Sequence, residues 1–291
     1  MSRTRPLPGL VPKVQSSIVL FMPQNKAEML ITSDDLGRTV RVSRAPQRIV
    51  SLCPSQTETL LTLGLGGQIV GRTRYCIHPK HEVSQITDIG GTKNPKIEAI
   101  LALEPDLVIA EKEENRPEDV AALEGDVPVY VTDVCSIPGA LAMVRRLGKL
   151  CLRSSEAEAL AQQIEERWRE LSPLSTPKTV AYLIWRKPWM VAGSDTYICD
   201  VLERCGLENV FAGRSGRYPE TTVEEIAKFA PGVVLLSSEP YPFTDVHTKE
   251  FASRLPKSKV LRVDGEAFSW YGARMLKAAD ELQAIIKSLS S

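Results

Sequence analysis

The sequence predicts two α/β lobes, each built on a central parallel sheet, joined by a helical segment. Three observations predict it. Short apolar runs alternate with helical stretches on both sides of the chain's middle. One pattern occurs twice: Ile97-Glu98-Ala99-Ile100 leads through Leu103-Glu104-Pro105-Asp106 into Leu107-Val108-Ile109, and 126 positions later Val223-Glu224-Glu225-Ile226 leads through Phe229-Ala230-Pro231-Gly232 into Val233-Val234-Leu235. Between the copies, residues 137–171 carry a sustained helical period with no strand signal. The expected organisation is an extension over 1–28, an N-terminal lobe over 29–136, a connecting helical segment over 137–177 and a C-terminal lobe over 178–291.

In the extension, three prolines fall before position 13 and no period is sustained. Met29–Ile31 and Thr39–Val42 flank Asp34-Asp35-Leu36-Gly37, which reads as a hairpin with Asp and Gly supplying the turn. Arg48–Leu52, Ile69–Thr73, Leu107–Ala110 and Val127–Thr132 read as strands. Ser55-x-x-Glu58 reads as a capping box with Gly64 as the stop, and Asn94-Pro95 as the start of another helix. Ser155-x-x-Glu158 is a second box, opening an amphipathic helix with Leu160, Ile164, Trp168 and Leu171 on one face; it would run about 25 Å. In the second lobe, Thr179–Trp185, Val233–Ser237 and Val260–Val263 read as strands. Helices follow Ser194-Asp195 and Thr222-x-x-Glu225, and a final helix spans Gly272–Leu289.

Composition narrows the function. The 291 residues carry 36 basic and 36 acidic side chains, a formal charge of zero, which removes the usual footprint of a nucleic-acid or polybasic membrane protein. No apolar run reaches the roughly 18 residues of a membrane span. The start lacks the uninterrupted apolar stretch of an export signal, so the sequence alone places the chain in the cytoplasm. Six cysteines, mostly in apolar segments, fit buried free thiols. No G-x-S-x-G elbow or dinucleotide fingerprint occurs, and no catalytic set, intrinsic cofactor or resident metal is expected.

Open parallel sheets bind ligands beyond the carboxyl ends of their strands, and clefts between lobes are favoured sites. The loops at those ends supply the candidates. In the first lobe they are Ser55 and Gln56; Tyr75, Cys76 and His78 in the Arg74–His78 loop; Lys93; and Lys112 in Lys112-Glu113-Glu114-Asn115. In the second they are Trp185, Arg186 and Trp189; Tyr218 after Arg217; Glu239 and Tyr241; and Trp270 and Tyr271. Aromatics on loops suit a flat macrocycle, although each alone is equally an ordinary loop-packing residue. Cys76-x-His78-x-x-His81 offers three donors, one short of a tetrahedral zinc set, and Pro79 interrupts it. It supplies either one axial ligand to a chelated metal, from His78 or Cys76, or a loop hydrogen bond.

Arg48-Ile49-Val50-Ser51-Leu52, Pro54-Ser55-x-Thr57-Glu58, Ile89-Gly90-Gly91, Asn94-Pro95-x-Ile97-Glu98 and Leu103-x-Pro105-Asp106-Leu107-Val108 together resemble the helical-backbone metal receptor superfamily. These are substrate-binding proteins of ABC importers for cobalamin, iron–siderophores and haem. The likeness covers about residues 40–290 and is nearest the cobalamin-binding branch. It implies a class III architecture: two Rossmann-like lobes joined by a long rigid helix. It implies a non-enzymatic, monomeric receptor that holds a metal chelate between the lobes and meets an ABC permease. It implies a periplasmic location, against the cytoplasmic reading. It assigns permease docking to one surface Glu per lobe, matched by Glu98 and Glu224, where a first-turn Glu also stabilises its helix dipole. The alternatives on the same scaffold are a cytoplasmic metallocofactor chaperone or sensor, and a corrinoid-salvage enzyme.

Overall fold

A computed structural model describes residues 29–43 and 45–290. The expected extension over 1–28 lies outside the described residues. Strands β1 (Met29–Ser33) and β2 (Thr39–Ser43) form the hairpin, and Asp34 builds its turn by accepting the Leu36 and Arg38 N–H groups. The first lobe carries β3 (Ile49–Ser51), β4 (Ile69–Arg72), β5 (Thr87–Asp88), β6 (Leu107–Glu111) and β7 (Val129–Thr132) in one parallel sheet, ordered β5-β4-β3-β6-β7. Every residue of β6 and β7 is buried, as the unbroken apolar runs require of strands covered on both faces.

The second lobe carries β8 (Lys178–Trp185), β9 (Trp189–Val191), β10 (Leu207–Asn209), β11 (Glu220–Thr221), β12 (Val233–Ser237) and β13 (Lys259–Val263). Its parallel centre is β8, β12 and β13, and β10 adds in parallel to the start of β8. The edge departs from the expectation. β9 turns back antiparallel on β8 and β11 pairs with β9, because Lys187 adopts φ 69° and closes a short hairpin. The repeat survives as structure. The helices Ile97–Leu101 and Val223–Phe229 and the strands β6 and β12 start at the same 126-residue offset.

The connecting segment is two helices, Ile137–Leu150 and Ser154–Arg169. They pack closely where Gly148 lies under Ala157; a Cβ at 148 would sit 2.2 Å from the Ala157 Cβ. Ser136 caps the first helix by accepting the Gly139 N–H. The predicted box at Ser155 does not form, since Glu158 is taken by Arg145 at 2.8 Å. The helix Pro54–Thr62 likewise starts without a side-chain cap, and the helix predicted from Asn94-Pro95 starts at Ile97. Thr196, not Ser194, caps Tyr197–Arg204, whereas Thr222 caps Val223–Phe229 as read from the sequence.

Each lobe has an outer core of its own, around Val108 and Ile100 in the first and around Val234 and Phe251 in the second. The inner faces share one core. It runs from Ile49 and Ile109 through Met143, Leu160 and Trp168 to Tyr182, Leu235 and the final helix Met275–Ser290 at Leu282. The lobes are therefore coupled through packed side chains rather than through a bare linker.

Gly272 lies at a close approach between the lobes. It adopts φ +75°, and a Cβ there would meet Thr59 Oγ1 at 2.1 Å. Gly272→Ala combines a left-handed penalty with a clash against a buried helix. We expect it to cost about 2–4 kcal/mol. A thermal melt should show a midpoint lower by several degrees; an unchanged midpoint would contradict this packing.

Candidate functional site

Loops beyond strands of both sheets meet between the lobes, where they form a polar seam. The segment 270–274 of the second lobe lies along the helix Pro54–Thr62 of the first. The Tyr271 N–H donates to Ser55 Oγ at 3.3 Å and the Ala273 N–H to Thr59 Oγ1 at 3.2 Å. Arg274, 6% exposed, forks onto Glu58 with two contacts of 2.9 Å, reaches Glu266 at 3.3 Å and lies over the Trp270 ring. Burial pushes the Glu58 carboxyl up from its ordinary value, outweighing the guanidinium beside it. His78 Nε2 lies 3.1 Å from Glu266 Oε1, and its ring meets Trp270 edge to face. The Trp270 indole N–H and the Ser269 hydroxyl both donate to Glu239, whose carboxyl burial raises to about 7.

A second crossing stands beside the seam. Arg217 donates to Glu113 at 2.7 Å and to Asp133 at 3.2 Å, and the Tyr218 hydroxyl donates to Glu113 at 2.8 Å. Lys112 takes the other oxygen of Asp133 at 2.5 Å, and Lys93 holds the Glu113 carbonyl. Beneath them Glu111, at the end of β6, is 2% exposed. Its carboxylate accepts the Glu113 and Glu114 N–H groups, yet burial dominates and raises it to about 8.

Aromatic side chains gather around the end of β8 in the second lobe. Trp185, 39% exposed, ends β8 and meets Tyr241 edge to face. Arg186 lies over the Trp189 ring, pairs with Glu250 at 3.2 Å and stands 3.2 Å from His247. In the first lobe, Tyr75 follows β4 and is 56% exposed.

The residues read from the sequence thus separate into three groups. Ser55, Gln56, His78, Lys112, Tyr218, Glu239, Trp270 and Tyr271 lie in or against the two crossings. Lys93 also reaches the second crossing, at the Glu113 carbonyl, whereas Tyr75, Arg186 and Tyr241 stand on loops beyond strand ends and Trp185 is the last residue of β8. Cys76 and Trp189 turn away. The Cys76 thiol is buried against the Thr57 and Thr73 hydroxyls, and burial raises its pKa, so it is a core group rather than an open ligand. Trp189 stacks on Phe243 and abuts Phe251 in the outer core. Cys76, His78 and His81 do not converge, and no described group of three such side chains is placed to hold a metal ion. All six cysteines are free. Glu58, Thr59, Glu266 and Arg274 carry the seam and were not singled out. Glu58 looked like a capping residue, and Arg274 was hidden in the first turn of an apolar helix.

Burial of Glu111 has a measurable consequence. An unfolded carboxyl titrates near 4.3, so the folded protein retains a proton that the unfolded chain loses over about pH 4.5–8. Stability from this group is full below that window and is lost as pH rises through about 8. Glu111→Gln should therefore raise the melting point relative to the wild type more at pH 9 than at pH 5. An equal offset at both values would contradict the assignment.

Comparison with known proteins places the chain. The model of the periplasmic binding protein family matches residues 49–262. A vitamin B12-binding protein of Pectobacterium carotovorum subsp. carotovorum (strain PC1) is 24% identical over 251 residues, 84% of this chain and 90% of that one. A vitamin B12-binding protein of Yersinia pestis (strain Pestoides F) is 26% identical over 247 residues, 82% of this chain and 86% of its own. Among solved structures, the periplasmic heme-binding protein RhuT from Roseiflexus sp. RS-1 matches with a TM-score of 0.73 at 24% identity, covering 84% of this chain and 99% of its own. The periplasmic vitamin B12 binding protein BtuF of Vibrio cholerae matches with a TM-score of 0.67 at 20% identity, covering 84% and 97%. These matches favour the periplasmic alternative and lend nothing to the cytoplasmic expectation. No described helix is long and apolar enough to cross a membrane. The chain belongs to the periplasmic binding protein family, as a two-lobed binding protein rather than an enzyme.

Proposed function

We propose that the protein is a periplasmic, monomeric receptor that holds a metal chelate between its lobes and presents it to an ABC permease. The ligand class is a cobalamin-like corrinoid, haem or an iron–siderophore, carried as cargo and not as an intrinsic cofactor. The observation that carries this reading is the pair of exposed rings at the strand ends, Tyr75 in one lobe and Trp185 in the other. Aromatic side chains there offer a flat apolar contact with polar tips, which suits a macrocycle. The vitamin B12-binding relatives support the same class.

Glu98 and Glu224 fit the docking role. Each is the second residue of a helix that precedes a central strand, so each lies at the helix end nearest the carboxyl edge of its sheet. Both are exposed; Glu224 pairs with Arg254. Charge reversal at either should leave ligand affinity unchanged while uptake by cells is lost. Weakened ligand binding, or normal uptake, would contradict the assignment.

Titration with cyanocobalamin, haemin and a ferric siderophore, followed by tryptophan fluorescence, tests the receptor reading. We expect saturable quenching by at least one, with Kd near or below about 1 µM. No saturable response to any would overturn it. Trp185→Ala should weaken that binding about tenfold, or about 1.4 kcal/mol, without lowering the melting point.

A further inference from the structure

A recess of about 200 Å³ opens on the first lobe, between the hairpin strand β1 and the last turns of the helix Ile137–Leu150. Leu30 and Thr32 of β1, Tyr130 of β7, and Arg146, Lys149 and Leu150 of the helix line it. No residue of the second lobe is among them, and none belongs to the seam or the second crossing. A cavity of about 150 Å³ is enough to hold benzene. The space here suits a ligand of that size or slightly larger.

The chemistry of the lining is one-sided. It carries a guanidinium, an ammonium, a phenol and an aliphatic hydroxyl, together with two leucines, and no carboxylate. Arg146 gives Nη2 to Asp35 at 2.8 Å, which ties the hairpin turn to the helix. The same Asp35 oxygen also accepts the Asp133 N–H. Arg146 Nε, by contrast, is buried and has no hydrogen-bond partner. A buried donor without an acceptor is costly, and such an atom in a folded protein calls for a water or an ion. Lys149 is exposed and has no carboxylate partner among the described residues. Tyr130 is 2% exposed, and burial raises its phenol to about 12, so it keeps its proton at neutral pH and can donate. A base in a last helical turn also complements the helix dipole, but that role accounts for neither the orphan N–H nor the phenol.

From this juxtaposition, an orphan guanidinium N–H, an ammonium without a carboxylate and a buried phenol around one recess, we infer a second ligand site that takes a small organic oxyanion. The anion is a carboxylate or a phosphate ester on a compact apolar body. Its oxygens meet Arg146 Nε, the Lys149 ammonium and the Tyr130 hydroxyl, and charge-assisted hydrogen bonds of this kind are the strong ones. Its apolar body lies against Leu30 and Leu150. The site stands apart from the cargo site and rests on none of the arguments for it.

Proton NMR titrations of three benzene-sized probes against the full-length protein test the assignment. Phenyl phosphate and benzoate carry the two candidate oxyanions, and benzamide is their uncharged counterpart. At pH 7.5 and low ionic strength we expect at least one anion to saturate with Kd below about 1 mM, and about tenfold or more tighter than benzamide. The tighter of the two anions identifies phosphate or carboxylate as the preferred headgroup. Lys149→Gln should weaken that anion about fivefold with an unchanged melting point, and Tyr130→Phe should weaken it about twofold or more. If Tyr130→Phe does not fold, Lys149→Gln decides alone. Saturation by neither anion, benzamide binding as tightly as the anions, or an affinity unchanged by Lys149→Gln would overturn the site.

Discussion

The arrangement of the lobes depends on one buried contact, the fork of Arg274 onto Glu58. Removing two such charges from water is expensive, and the pair is a poor source of net stability compared with apolar packing. Its effect is on geometry. Leaving either group alone in that site would cost about 3–5 kcal/mol, so the two lobes are confined to the one register that satisfies both. The register is reinforced by backbone groups. Tyr271 and Ala273 spend their N–H groups on Ser55 and Thr59, and Gly272 allows the chains to come that close. Trp168 adds a tie from the connecting helices, donating its indole N–H to the Met275 carbonyl at 2.8 Å.

A receptor built this way divides its labour by depth. The shared core and the seam hold the two carboxyl edges together, and exposed rings stand at strand ends, Tyr75 after β4 and Trp185 at the end of β8. Arg217 and Arg274 are engaged by carboxylates of the opposite lobe. The Tyr75 and Trp185 rings remain exposed beyond the ends of β4 and β8.

Much of the fold was legible in the sequence because it follows from short-range physics. The unbroken apolar runs of β6 and β12 can only be strands covered on both faces, and their common offset exposed the duplication. Helix starts were less legible. Ser55-x-x-Glu58 and Ser155-x-x-Glu158 have the spacing of capping boxes, but the glutamates are claimed by Arg274 and Arg145, which are distant in sequence. The antiparallel edge at β9 and β11 was missed because three- and two-residue strands leave no period to detect. For the site, the strand-end rule located the loops but not their orientation. Cys76 and Trp189 lie on the right loops and face the core, while Arg274, outside any strand-end loop, proves central.

The claim that a ligand sits between two lobes held by a fixed seam is tested most directly by a crystal structure of the protein soaked with cyanocobalamin. The account predicts the macrocycle between the Tyr75 loop and the Trp185 loop, with the Arg274–Glu58 fork intact beneath it. A ligand seated on the hairpin β1–β2 or elsewhere on the outer surface, or a complex in which that fork is broken, would contradict it.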